Sequence, residues 1–409
     1  MPFDVQTARA QFPAFEQRDN GRTPIFLDNP AGTQVPQRVI DAVVNYYRHD
    51  NANSHGVFAT SQRTDALKQS ARETAAAFLN AQCPEEIAFG PNMTTLTLGF
   101  SRAIGRNLKP GDEIILTQMD HDANISPWLL MAEDRGLTVR WVRLDVETGT
   151  LDLKTYESAL NEHTRLVCVG HAANALGTIN PIKDMAQRAH AVGAQIYVDA
   201  VQAAPHILID VQDLDIDYLV CSAYKFYGPH IGILYGKYDL LQAITPYKVR
   251  PAGDANPDKW ETGTGSYETI AGTKAAIEYL ASFGEGSTLR ERLASSYAQL
   301  TEHERRLTWQ LIEGLKTISH IEIRGIVDSA QAAERVPTII FRLAGKHPEA
   351  VAKALANEAI YVWNGDYYAW ETMRALNHHD DGGMVRIGIA HYNTEDEIRR
   401  TVEILQSLA

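Results

Sequence analysis

Between residues 113 and 236 short apolar runs alternate with amphipathic stretches, and this alternation constrains the fold more than any other feature. "DEIILTQ", "TVRWVRL", "TRLVCVGH", "AQIYVDA", "DYLVCS" and "GILYG" read as strands. "SPWLLMAEDRG" and "PIKDMAQRAHAVG" read as helices, the second with Pro181 near its first turn and Gly193 at its stop. Strands separated by helices predict an α/β fold with a mostly parallel sheet sandwiched by helices. Upstream, Val39, Ile40, Val43, Val44 and Tyr47 share one helical face, and a second helix runs from about Thr64.

The pattern changes near "ASFGEGSTLRERL". A long helix follows, carrying Leu289, Leu293, Tyr297, Leu300, Leu307 and Leu311 at helical spacing. Then come "HIEIRG", "VPTIIFRL", a helix from Pro348, "AIYVW", "MVRIGIA" and a last helix from Thr394. A chain of 409 residues exceeds what one core usually holds. The expectation is a large domain at 20–285 and a smaller C-terminal α+β domain at 286–409, with 1–19 packed on the smaller one.

A formal net charge of −13 argues against nucleic acid or an anionic membrane as a general partner, while leaving room for a local basic pocket. No uninterrupted apolar segment is long enough to span a bilayer, and "MPFDVQTARAQFPAF" lacks the apolar run of a signal peptide. Cys83, Cys168 and Cys221 suggest no disulfide framework, so a cytoplasmic protein is expected.

Within "CSAYKFYGPH", Lys225 sits between two strand-like runs. Burying an ammonium is costly, so Lys225 either points to solvent from a loop or carries chemistry. Asp199 ends the strand of "IYVDAVQ", with Gln202 three residues on. Each alone has a bland reading, Asp199 as a helix cap and Lys225 as a surface lysine. Together, at neighbouring strand ends of a parallel sheet, they suit pyridoxal 5'-phosphate. That cofactor needs an amine for a Schiff base and a carboxylate to keep its ring nitrogen protonated. It also needs a phosphate cradle. Thr94 and Thr95 open an apolar helix whose free N–H groups favour phosphate, though an ordinary cap explains them equally well. Ser222 and Tyr224 bring further hydroxyls beside Lys225.

"VDAVQAAPH" followed by "CSAYKFYGPHIGILYG" resembles the class V aminotransferase family, in its cysteine desulfurase and selenocysteine lyase branch. "MDHDANISPW", "HAANALGTINP" and "WETGTGSYE" carry the resemblance further, from "FLDNPAGTQVP" to "RIGIAHYNTEDEI". It implies that Lys225 binds the cofactor covalently, Asp199 pairs with the ring nitrogen, Gln202 bonds the ring hydroxyl and His121 stacks on the ring. It places Thr94, Ser222 and Tyr224 at the phosphate and Asn174 and Arg386 at the substrate carboxylate. Thr264 matches a residue that reaches the phosphate of a partner subunit, which implies a homodimer with shared sites.

Three departures from the family pattern matter. The branch's desulfurases carry a persulfide-forming cysteine on a small-domain loop; here "AIYVWNGDYYAW" aligns Tyr368 with it, and no cysteine follows Cys221. The family's His-Arg pair reads His55-Gly56, removing one substrate-side charge, and the second histidine of its His-His-Ala-Asn segment is Asp122. Tyr367 and Tyr368 then shape the pocket, bind substrate or move protons, with simple ring packing as the alternative. "NHHDDGG" reads as a solvated loop, so no metal site is expected.

The expected function is a pyridoxal-phosphate-dependent enzyme acting on an amino acid by C–S or β-elimination lyase chemistry. An aminotransferase or epimerase of the same family is the nearest alternative. A non-catalytic α/β binding protein would be marked by loss of Lys225 or Asp199, and both are present.

Overall fold

The computed structural model describes residues 3–409. A short N-terminal strand, β1 (Ile25–Phe26), precedes the strands of the large sheet: β2 (Ile87–Gly90), β3 (Glu113–Thr117) and β4 (Thr138–Val142). A hairpin of β5 (Leu144–Asp145) and β6 (Thr150–Leu151) follows, then β7 (Thr164–Gly170), β8 (Gln195–Asp199), β9 (Tyr218–Ser222) and β10 (Gly232–Gly236). The large sheet runs β2-β10-β9-β8-β7-β3-β4. Only β10 opposes its neighbours; the pairs β9/β8, β8/β7, β7/β3 and β3/β4 are parallel.

Alternate side chains of these strands enter different cores, as the two-residue period of a strand requires. Ile115, Val167, Ile196 and Val198 pack with Ala71, Ala75, Phe78 and Met185 on one face. Ile114, Leu116, Leu166 and Tyr197 pack with Phe100, Ile104, Trp128 and Met131 on the other. Helices therefore cover both faces, and every residue of β3, β8's last four and all of β9 are buried. The helix expected from Thr64 begins earlier, at Ala59, and runs to Leu79. Its first turn, residues 59–62, buries only the small polar side chain of Ser61 and has no apolar period, which is why periodicity found only the inner part.

After the long helix Leu289–Lys316 come β11 (Ile321–Arg324), β12 (Thr338–Leu343), β13 (Ile360–Tyr361), β14 (Trp363–Gly365) and β15 (Met384–Gly388). The second sheet, β11-β12-β15-β14, is antiparallel throughout. Its own core gathers Leu307, Leu311, Phe341, Val385, Ile387 and Leu405. β1 pairs in parallel with β13. That pairing carries the chain past residue 19 into the C-terminal unit, so the segment that crosses between the sheets is Asp28–Gly32.

The crossing segment lies against β15. Asn29 donates from Nδ2 to the Gly388 carbonyl at 2.8 Å. A Cβ at position 388 would sit 2.0 Å from Pro30 Cδ, so only glycine permits this approach. Among the described residues no helix is long and apolar enough to cross a membrane.

Candidate active site

The carboxyl ends of the parallel strands deliver the site, as expected for such sheets. Asp199 is the last residue of β8, and Lys225 closes the single turn Ala223–Lys225 after β9. Asp120 and His121 follow β3, Asn174 follows β7, and Thr94 lies in the first turn of the helix Met93–Gly105 after β2. From the second sheet come Arg386 of β15, Trp363 of β14, and the loop residues Tyr367 and Tyr368. These side chains line one cavity of about 250 Å³, together with Pro30, Gln202 and Tyr224.

Lys225 is half-buried there, open only toward the cavity it lines, and its Nζ donates to the Pro30 carbonyl while lying 4.8 Å from the centre of the Tyr224 ring. Burial and the nearby Arg386 guanidinium push the amine down to about 7, against the pull of Asp199 and Asp28. The amine is therefore available unprotonated near neutrality, which a surface lysine is not. Asp199 is pushed up to about 6 by burial, opposed by the Val201 N–H and by Lys225. The Val201 N–H donates to Asp199 Oδ1 at 2.8 Å and fixes the carboxylate at the strand end.

Asp120 is fully enclosed beneath the cavity. Burial raises it to about 7, against hydrogen bonds from Thr117 and Asn124. Asp28 rises to about 6 by burial, and its Oδ1 has no hydrogen-bond partner. His121 is pushed down to about 3 by burial, Lys225 and Arg386, so its ring is neutral. Nδ1 accepts the Ala123 N–H at 3.0 Å, which leaves the proton on Nε2. The tautomer is thus set by the turn that follows β3.

Arg386 is buried, with its guanidinium 4.4 Å from the centre of the Tyr367 ring. Nη1 donates to the Asn174 carbonyl at 3.0 Å. Its Nε and the Asn174 side-chain oxygen have no partner. Leaving buried polar groups unpaired is costly, so this pair is built for a ligand that completes it. A guanidinium with Nε free suits a carboxylate held by two parallel hydrogen bonds.

The structure does not bring every expected residue to the cavity. Lys225, Asp199, His121, Thr94, Asn174, Gln202, Tyr224, Arg386 and Tyr368 line it. Ser222 lies just below, where its hydroxyl accepts the Met93 N–H at 3.0 Å and anchors the helix start. Thr95 faces away; its N–H is capped by Asn92 Oδ1 at 2.9 Å, and with Thr264 it lines a separate groove. His55 stands outside the cavity with its side chain 73% exposed, 4.0 Å from Asp65. Asp28, Asp120 and Trp363 are cavity or cavity-edge residues that the sequence did not single out. Asp28 and Asp120 sit inside segments already noted for their resemblance, and a buried carboxylate cannot be told from an exposed one by pattern alone.

The burial of Lys225 has a measurable consequence for the cofactor-free protein. The folded amine titrates near 7 and the free one near 10.5, so its cost to stability is full below pH 7 and fades as pH rises toward 10.5. Lys225→Met is therefore expected to raise the unfolding temperature of the cofactor-free protein at pH 6 and to raise it less at pH 10. Thermal unfolding of both proteins at the two pH values checks this; an equal or larger gain at pH 10 contradicts it.

The sequence model of the family described as Aminotransferase class-V matches residues 25–401. A cysteine desulfurase of Pectobacterium carotovorum subsp. carotovorum (strain PC1) is 36% identical, covering 100% of this chain and 98% of its own length. A probable cysteine desulfurase of Synechocystis is 34% identical over 100% of this chain and 96% of its own. Among solved structures, the cysteine desulfurase CsdA of Escherichia coli superposes with a TM-score of 0.84 at 28% identity, covering 99% of this chain and 98% of its own.

Proposed function

The chain belongs to the class V aminotransferase family, and from that premise we propose that it is a pyridoxal-phosphate-dependent C–S lyase acting on an amino acid by β-elimination. The observation that carries the reading is the Lys225 amine, desolvated on the same strand-end cavity as Asp199 and Arg386. The residues fit the cofactor: an amine poised near neutrality, a fixed carboxylate at the neighbouring strand end, a neutral imidazole and a helix N-terminus on one cavity. Lys225 would hold it, Asp199 its ring nitrogen, Gln202 its ring hydroxyl, His121 its face, and Thr94 and Tyr224 its phosphate, with Ser222 anchoring the helix start on the phosphate side. When bound, pyridoxal phosphate supplies an electron sink for the pair left when the substrate's α-proton departs.

The chain's own groups do the rest. Arg386 would hold the substrate carboxylate through the Nε that lacks a partner, and Asn174 through the side-chain N–H not given to the Tyr367 carbonyl. That contact orients the α-carbon toward Lys225, whose amine takes the α-proton and later returns one. Asp199 must stay ionised for its role; burial works against this and a cationic ring nitrogen works for it. Tyr367 holds the second sheet closed over the site, with its hydroxyl donating to the Met384 carbonyl at 2.7 Å and its own carbonyl accepting from Asn174 at 3.0 Å.

No thiol serves the cavity. Cys168 and Cys221 are fully buried in strands, with burial raising both thiols, and Cys83 lies away from the cavity lining. With Tyr368 at the loop position, no covalent sulfur carrier is available, so the sulfur leaves as a free thiol. Incubated with L-cysteine, the loaded enzyme is expected to release sulfide, pyruvate and ammonium, with intact-protein mass unchanged. Alanine formed together with a persulfide on any cysteine contradicts the reading.

The dimer is part of the same proposal. Thr264 lies apart from the cavity of its own chain, in the groove shared with Thr95 and His230, which is where a residue serving a second copy would stand. Mixing Lys225→Ala subunits with Thr264→Ala subunits, once exchange is shown, is expected to restore some activity; none at any ratio argues against shared sites.

A further inference from the structure

Two large aromatic side chains stand open at the cavity rim: Trp363 is 49% exposed and Tyr368 70% exposed. Both also line the cavity. Exposed aromatic surface beside a site marks a contact for a ligand rather than packing left over from folding.

Their placement is tied down. Trp363 pairs directly with Arg386 across β14 and β15, so the two side chains share one face of the sheet. Any substrate whose carboxylate reaches Arg386 passes beside the Trp363 indole. Tyr368 is held at both ends of its peptide unit. Its N–H donates to Asp366 Oδ1 at 3.0 Å, and its carbonyl accepts the Asp122 N–H at 2.7 Å. Tyr367 and Tyr368 both adopt left-handed backbone, with φ of 48° and 58°. Such conformations persist only where surrounding contacts impose them. The Tyr368 ring sits 5.4 Å from the His121 ring at an interplanar angle of 30°. This loop is a fixed surface, not an arm free to swing.

Of the ionisable groups on the cavity, Asp120, Asp199 and Lys225 come from the strand ends of the large sheet, while Arg386 is the cross-strand neighbour of Trp363 and the neutral His121 ring lies beside Tyr368. A substrate carboxylate bound to Arg386 would neutralise the guanidinium beside Trp363, so a side chain directed to the rim meets the two rings.

We propose that Trp363 and Tyr368 form a pre-set aromatic rim that selects amino acids bearing an aromatic or comparably large apolar side chain. The inference rests on the lyase reading for its substrate class, which becomes an aryl thioether of cysteine. The balanced reaction of S-phenyl-L-cysteine with one water gives thiophenol, pyruvate and ammonium. The Cβ–S bond breaks with its electron pair going to sulfur, which takes up a proton, and water replaces nitrogen at the α-carbon. No external oxidant or reductant enters.

The test separates the rim from the chemistry. Holoenzyme is titrated with L-phenylalanine and with L-alanine, neither of which has a leaving group, and binding is followed by the change in cofactor absorbance. L-Phenylalanine is expected to half-saturate at about tenfold lower concentration, the scale of burying one ring. Trp363→Ala and Tyr368→Ala are each expected to erase most of that preference, while Trp363→Phe and Tyr368→Phe retain it. Equal affinity for the two amino acids in the unaltered enzyme overturns the proposal, as does an undiminished preference in both alanine variants. S-Phenyl-L-cysteine and L-cysteine are then compared by pyruvate release. A preference in binding without pyruvate from either sulfur compound supports the rim and contradicts the lyase reading.

Discussion

Replacing Lys225 with alanine is expected to lower turnover by on the order of 10³-fold or more while the fold is retained. A positioned acid or base contributes roughly 10²–10⁴-fold, and among the described residues Lys225 is the only amine on the cavity lining. Retention of the fold follows from the neighbours. Phe226 and Tyr227 are fully buried, and the Tyr227 N–H donates to Thr33 Oγ1 at 2.8 Å, so the turn is held by groups other than Lys225. The substitution also removes an ammonium that burial disfavours. Initial rates with any accepted amino acid, alongside unfolding temperature, check this. A variant that keeps a tenth of the activity shows that another group moves the proton.

The second large effect is expected at Asp199. Asp199→Ala removes the carboxylate at the end of β8, and truncating one member of a buried charged pair costs about 2–5 kcal/mol. That corresponds to a slowing of roughly 30-fold to several thousand-fold. Asp199→Asn keeps an oxygen for the Val201 N–H yet lacks the charge, so it isolates electrostatics from geometry. Both variants are expected to be similarly slow. If Asp199→Asn works nearly as well as the unaltered enzyme, the carboxylate only orders the turn, and its proposed role at the ring nitrogen fails.

Lys225 and Asp199 were legible because strand ends are legible. "YLVCS" and "IYVDA" are continuous apolar runs, and a charged residue just past such a run has few places to go in a parallel sheet. Arg386 was harder, since it lies inside a strand, and an arginine in "MVRIGIA" reads equally as an ion-pair residue. Its neighbour Trp363 was not legible at all: the two meet only through the antiparallel register of β14 and β15. Asp28 and Pro30 escaped for a similar reason, because the strap they form depends on Gly388, more than three hundred residues away in sequence. Thr95 shows the opposite failure. It sits next to Thr94 in sequence, but successive residues of a helix point about 100° apart, so one thread of the pattern faces the cavity and the next faces another groove.

The absence of a cavity thiol reads directly from the sequence, since no cysteine follows Cys221. What replaces it needs the backbone. Tyr368 is pinned through Asp366 and Asp122, and Asp122 itself occupies a position where the family pattern has histidine. Two of the three departures from that pattern are therefore in contact, joined by the bond from the Asp122 N–H to the Tyr368 carbonyl at 2.7 Å. A loop fixed in this way suits release of a small thiol into solvent better than delivery to a second protein.

The central claim is that Lys225 carries pyridoxal phosphate covalently. The most direct measurement is borohydride reduction of the yellow, fully loaded protein, followed by digestion and mass spectrometry. The expected result is a peptide spanning Lys225 whose mass has risen by that of the reduced cofactor, with fragment ions assigning the added mass to the Lys225 side chain. An unmodified Lys225 peptide from a fully loaded sample, or the added mass on another lysine, contradicts the account.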